Sequence, residues 1–326
     1  MAAQKVTKDD FIAAWQREGN APRTAAALGI SERYTHTLRK RYAFAGHDVA
    51  TRPEIGYEKR VPDEYRGDGW TFERERPLEI DTGTVVVFSD AHYQPGEPTI
   101  AHKALIQVIR AVKPRAVIAN GDIFDGGSIG RHDPFGWSQR PSVKEELEAC
   151  IERLGDVEQA VPKGCDLIFT IGNHDIRFER NLVSKVPDYA NVIGMRLEDH
   201  FNAWELAWSA PINWDSAHPV MVKHRFGSGI HAGYTATTKA GWTTVSGHTH
   251  QLDVKSWGDY RGRRWGIQTG CLADLDGAAF EYTENGPSPS CSGFVVLTFR
   301  DSSLTPPETC EVIGGKAWFR GQVVAE

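Results

Sequence analysis

Five short apolar runs in this chain each stop at a cluster of Asp, Asn or His, and that recurrence restricts the fold more than any other feature. Residues 84–88 lead into Asp90-Ala-His92, and residues 116–119 lead into Gly121-Asp122-x-x-Asp125. Residues 167–171 lead into Gly172-Asn173-His174-Asp175, residues 220–223 end at His224, and residues 243–246 end at Gly247-His248-x-His250. Short runs rich in β-branched and aromatic residues, closed by glycine, read as buried strands. The stretches 99–112 and 142–160 between the early runs read as helices. Strand, loop and helix in alternation predict an α/β fold with a parallel sheet. In such sheets ligand sites collect beyond the carboxyl ends of the strands. The pattern therefore sends every polar cluster to one edge. Residues 254–257, 263–268, 292–299 and 311–324 read as strands linked by turns, predicting a second, more antiparallel sheet.

Together the clusters supply Asp90, His92, Asp122, Asn173, His224, His248 and His250, oxygen and imidazole donors suited to two divalent ions. Neutral imidazoles favour Mn, Fe, Ni or Zn over Mg or Ca. Taken singly, Asp90 reads as a cap and Gly121-Asp122 as a turn. Taken in order, the set has no such bland reading, because a packed core requires none of it. Two ions about 3.5–4 Å apart acidify water and clamp a phosphoryl group during in-line displacement, which points to phosphoester hydrolysis.

The spacing and order of these motifs, over about residues 85–299, resemble the calcineurin-like metallophosphoesterase superfamily, of the kind carried by phages and prophages. The resemblance implies a four-layer α/β/β/α sandwich and two divalent metal ions, with Mn²⁺ expected. By it, Asp90, His92 and His250 hold the first ion, Asn173, His224 and His248 hold the second, and Asp122 bridges them, so that a metal-bridging hydroxide attacks phosphorus. It makes His174 the catalytic group near the leaving oxygen and Asp175 the carboxylate that orients it. Asp125 is expected to hold a ligating histidine in its tautomer. The family has His-Gly where this chain has His224-Arg225, so His231-Ala-Gly233 stays a rival to His224. The end of an apolar strand favours His224. Arg131, His132, Arg177 and Arg180 are candidate phosphate contacts, while Trp204, Trp208 and Trp214 read as core or cap-lining aromatics.

A different texture precedes these runs. Thr7, Asp9 and Asp10 mark a helix start, with Phe11, Ile12 and Trp15 on one face. Pro22 opens a short alanine-rich helix, Gly29 supplies a turn, and Ser31 caps a third helix over 32–45. This stretch resembles the helix-turn-helix of phage and transposase DNA-binding modules. In such modules the third helix reads the major groove, which assigns Arg33, Thr35, His36, Arg39 and Arg41 to DNA. A three-helix interaction module with a solvated basic face is the alternative. Residues 46–83 read as a linker with Trp70 and Phe72 as docking points, giving a division into 1–45, 46–83 and 84–326.

Five scattered cysteines without a CxxC pair exclude a disulfide framework and a cysteine zinc site. With no apolar leader and no run long enough for a bilayer, the expected location is cytoplasmic, with no membrane partner. A net charge of −6 excludes capture of nucleic acid by the charge of the chain as a whole. Residues 1–42, however, carry eight basic against four acidic side chains. The expected function is a metal-dependent phosphodiesterase with nucleic acid as partner, a DNA nuclease, and with no obligate protein partner. A phosphomonoesterase or protein phosphatase localised by its N-terminal module is one alternative. A non-catalytic DNA-binding protein on a relic phosphoesterase fold is another.

Overall fold

The computed structural model describes residues 6–18, 20–44, 72–130, 140–189, 192–260, 262–275, 277, 280 and 288–326. Trp70, Arg131 and His132 lie outside the described residues, as does most of the expected linker. The chain divides into two units, Met1–Gly69 and Trp70–Glu326.

The first unit holds α1 (Lys8–Glu18), α2 (Ala21–Leu28) and α3 (Glu32–Phe44). The Asn20 side chain accepts the Arg23 N–H at the start of α2, and Gly29 closes that helix in the left-handed region at φ 61. Phe11 and Trp15 of α1 meet Ala21 and Leu38 in a small core of their own. One expected DNA contact is corrected here. Thr35 is fully buried, and its hydroxyl donates to the Ser31 carbonyl at 3.1 Å, so it serves the packing of α3 and cannot reach a base. Arg33, His36 and Arg41 are exposed, and the Arg39 guanidinium lies 5.3 Å from the centre of the Trp15 ring.

The second unit begins with β1 (Gly83–Phe88), α4 (Ile100–Val112), β2 (Ala116–Ala119), α5 (Val143–Ala160), β3 (Asp166–Thr170) and α6 (Arg177–Lys185). It continues with β4 (Glu205–Ala207), β5 (Ala210–Ile212), β6 (Val220–Val222), α7 (Ala232–Ala240), β7 (Thr243–Ser246), β8 (Leu252–Asp259) and β9 (Gly262–Thr269). Then follow β10 (Gly293–Arg300), β11 (Ser303–Leu304), β12 (Glu308–Ile313), β13 (Lys316–Phe319) and β14 (Gln322–Ala325). One sheet runs β14-β13-β12-β10-β1-β2-β3-β4, with β11 beside β10, and the other runs β5-β6-β7-β9-β8.

Strand periodicity explains the layering, because successive side chains point to opposite faces. Val85 and Val87 of β1 join Ile118 and Ile168 against Ile212, Val222, Val245 and Ile267 of the second sheet. Val86 and Phe88 face the other way, with Val117 and Phe169, onto Leu105 and Ile109 of α4 and Leu154 and Val157 of α5. α7 covers β7 and β9 on the outer face of the second sheet, where Gly233 and Gly266 approach too closely for a side chain at Gly266. The result is the α/β/β/α sandwich.

Phe72 is buried in the helix-side core, and Leu78 and Ile80 sit between the sheets. Bridges Glu73–Ala207 and Leu78–Ile212 tie the same segment to β4 and β5. Residues 72–82, read from sequence as linker, thus belong to the second unit's packing. No helix among the described residues is long and apolar enough to cross a membrane.

Candidate metal centre

β1, β2 and β3 pair in parallel with Phe88, Ala119 and Phe169 level, and β6 and β7 pair in parallel with Val222 beside Val245. The chain leaves each of these strands at the same edge, and there it turns sharply. Asp90, His92, Asp122, His248 and His250 all take φ between 41 and 69. Non-glycine residues enter that left-handed region uncommonly, and a concentration of them marks a site where surrounding structure holds strained backbone for a purpose. Close packing holds these turns. A Cβ added to Gly172 would fall on the carboxylate and backbone nitrogen of Asp122, and one added to Gly247 would fall on the Asp90 carboxylate and the Ser89 hydroxyl.

The turns bring together three overlapping groups of donors: Asp90, His92 and His250; His92, Asp122 and His174; and Asp122, His224 and His248. Within each group the donor atoms lie within 4.8 Å of one another. Asp122 and His92 are each shared by two groups. Asn173 stands beside them, and its Oδ1 is buried without a hydrogen-bond partner, as are Nε2 of His92 and Nε2 of His224. Buried lone pairs left unpaired are costly unless something electropositive meets them.

The imidazole tautomers point the same way. His224 Nδ1 donates to the Asn120 carbonyl at 2.8 Å, which turns the Nε2 lone pair toward Asp122, 3.1 Å from its Oδ2. A lone pair facing a carboxylate needs a cation between them or a proton on the ring. Burial disfavours charge on His224, but the carboxylates of Asp122 and Asp90 outweigh it and push its pKa up to about 10. Burial likewise opposes ionisation of Asp122, yet His224, His174 and His92 hold it well below the usual carboxylate range. The oxygen and imidazole donors therefore fit two divalent ions.

Asp125 occupies the next layer. Its Oδ1 accepts from Nδ1 of His92 at 3.1 Å and from Nδ1 of His174 at 2.8 Å. It thereby presents Nε2 of both rings to the centre, the role expected of it toward one ring only. Glu146 of α5 is buried and accepts the N–H groups of Gly126 and Gly127, pinning the turn that follows Asp125. Burial, with the Asp125 charge nearby, pushes Glu146 up to about 7.

The expected role of Asp175 is corrected. Its carboxylate accepts backbone N–H groups from Asp122, Ile123, Phe124 and Gly172 at 2.8–3.0 Å and makes no bond to His174. Asp175 fastens the Asp122 turn to the β3 turn, and Asp125 orients His174. His231 is exposed at the start of α7, in none of the donor groups, whereas His224 is buried at the end of β6. Arg177 lies at the site: it donates to the Asp125 carbonyl at 2.9 Å and to Nε2 of His174 at 2.8 Å. Trp204 is core, bonded to Glu158, while Trp214 is exposed. Sequence reasoning missed Asn120, Ser89 and Glu146. Asn120 orients His224 through a carbonyl that any residue would offer, so no sequence signal could have found it.

The sequence model of the calcineurin-like phosphoesterase family matches residues 83–256, more than half of the chain. No curated protein matches the chain. Among solved structures, a dimetal phosphatase from Danio rerio is similar at 10% identity, over 76% of this chain and 99% of its own, with a TM-score of 0.35.

Proposed function

This chain belongs to the calcineurin-like phosphoesterase family and is a metal-dependent phosphoric ester hydrolase, and we propose that it cleaves phosphodiester bonds, with nucleic acid as its substrate. The observation that carries the reading is the pair of donor groups sharing Asp122, with His92 Nε2, His224 Nε2 and Asn173 Oδ1 buried there without hydrogen-bond partners. In the proposed assignment Asp90, His92 and His250 hold one ion, Asn173, His224 and His248 the other, and Asp122 both. Mn²⁺ is the proposed pair. When bound, the ions supply an acidified water and positive charge for the phosphoryl oxygens.

The chain's own residues do the rest. His174, held at Nδ1 by Asp125, takes a proton from solvent onto Nε2 and delivers it to the leaving oxygen. Arg177 must release that nitrogen first, and the guanidinium then meets a phosphoryl oxygen with its fork of donors. Asp175 and Glu146 keep the turns that carry Asp122 and Asp125 from relaxing. For nucleic acid as the substrate, the support is the basic first unit, whose exposed Arg33, His36 and Arg41 share α3. We propose that this unit is a helix-turn-helix that holds DNA and that the protein is of the phage type.

The test is turnover of bis-p-nitrophenyl phosphate after chelation and after return of Mn²⁺. Activity should vanish with the metal, return with Mn²⁺, and be absent in Asp122→Ala. Turnover of the p-nitrophenyl monoester with none of the diester would replace this reading with a phosphatase.

A further inference from the structure

Beside the metal centre lies a cationic cleft of which the chemistry described so far uses only Arg177. Arg177, Arg180, Asn181 and Ser184 of α6 stand at i, i+3, i+4 and i+7, the spacing of a single helical face, and Lys185 follows. The other side of the helix buries Phe178 and Glu179. The polar face lines a cleft of about 490 Å³, whose remaining wall includes Ile129, Gly130 and Asn173. Asn173 connects the cleft to the metal centre, because its buried Oδ1 is one of the unpaired acceptors there.

The wall is built and fixed. The Asn181 amide donates to the Ile129 carbonyl, and the Ser184 hydroxyl donates to the Asn181 carbonyl, each at 2.9 Å. Arg177 is anchored on the Asp125 carbonyl and His174, with the Asp125 carboxylate 3.9 Å away to offset its charge. Arg180 and Lys185 are exposed, and neither forms an ion pair among the described residues. Among the described residues that line the cleft, none is acidic. Like charges one turn apart weaken a helix unless an anion sits between them. That concentration of positive charge stands out in a chain whose net charge is −6.

We propose that the α6 cleft is a second phosphate-binding subsite, which takes the phosphate groups that flank the scissile one in a single nucleic-acid strand. The inference deepens the phosphodiesterase reading and rests on it. From Arg177 to Lys185 the helix advances about 12 Å, room for more than one backbone phosphate beyond the metal centre. Arginine suits the task because its planar fork pairs two donors with a phosphate, and lysine adds a point charge. A small ester such as bis-p-nitrophenyl phosphate has nothing to place there.

The probe is pentathymidylate, used with the full-length Mn²⁺-loaded protein both as an inhibitor of bis-p-nitrophenyl phosphate turnover and as a substrate on a gel. In Arg180→Gln/Lys185→Gln, the inhibition constant should rise at least tenfold relative to the KM for the small ester. The salt dependence of inhibition should flatten by about 1.4 in log–log slope, the share of two single-strand phosphate contacts. The charge-preserving pair Arg180→Lys/Lys185→Arg should recover most of the affinity and the slope, which a merely structural role would not require. Equal inhibition of wild type and the glutamine variant overturns the subsite. If pentathymidylate binds through α6 but is never cut, the subsite stands and the nuclease reading falls. If it is cut equally by wild type and the glutamine variant, the nuclease reading stands and the subsite falls.

Discussion

At the scale of single residues, the centre depends on which atom each imidazole is allowed to present, and one carboxylate decides that for two rings. Asp125 accepts from Nδ1 of both His92 and His174, so a single side chain fixes a proposed ligand and the proposed proton donor. An amide in its place keeps one acceptor oxygen for the two N–H groups but removes the negative charge that makes both rings better donors of their Nε2 lone pairs. Asp125→Asn should therefore lower Mn²⁺ affinity and turnover of bis-p-nitrophenyl phosphate, each by about 10–100-fold, while the thermal midpoint without metal moves little. Calorimetric titration with Mn²⁺ alongside steady-state kinetics checks this, and wild-type values for both would remove Asp125 from the machinery. The residue was legible because it follows Asp122 at a fixed short spacing. Its second partner was not, because His174 is about fifty positions away and only the fold brings it near. The same limit produced the error over Asp175. Adjacency to His174 suggested a side-chain pair, but the chain turns there, and four backbone N–H groups surround the carboxylate instead.

At the scale of elements, the strands that carry the site announce themselves, and the elements between them do not. β1, β2 and β3 are centred on apolar runs because both faces are covered, one by the partner sheet and the other by helices. β4 and β5 are three residues each, too short to establish a period, and take their form from pairing with β3 and β6. α6 and α7 are nine residues each, with α6 holding only Phe178, Leu182 and Val183 as apolar residues and α7 mixing three threonines with three alanines, so neither is long enough to show the repeat that exposed α4 and α5. What ties the carrying strands together is the absence of a side chain where two turns touch. Gly172 leaves space that the Asp122 carboxylate fills. In Gly172→Ala the methyl group must displace either Asp122 or the β3 turn, at a cost of about 1–3 kcal/mol in overpacking. Turnover should fall at least 100-fold, since Asp122 is proposed to serve both ions, while the far-ultraviolet circular dichroism stays that of the wild type. Activity within threefold of wild type would mean that the turn relaxes without disturbing the carboxylate.

At the scale of the whole molecule, each unit has a core of its own among the described residues. The layer between the sheets and the layer under α4 and α5 are built from residues 72 onward. The first unit likewise packs Phe11 and Trp15 against its own Leu38. Long-range pairing, such as β10 running antiparallel beside β1, had no local signature, yet it fixes how the first sheet extends toward β14. The proposed division of labour starts from the charge, because basic residues crowd the start of a chain that is acidic as a whole. If the first unit captures DNA, its removal should separate capture from chemistry. A chain lacking residues 1–45 should turn over bis-p-nitrophenyl phosphate within twofold of the full chain, since among the described residues every donor in the metal centre lies in the second unit. Its affinity for duplex DNA should fall, and the slope of log affinity against log salt should drop by about 0.9 for each phosphate that α3 no longer neutralises. With Thr35 buried, recognition falls to Arg33, His36 and Arg41, so Arg33→Ala/Arg41→Ala in the full chain should flatten the slope by about two phosphates' worth. Fluorescence anisotropy with labelled duplex across a salt series reads both. A truncated chain that binds duplex with the original affinity and slope would give α3 the role of a protein-binding or structural helix instead.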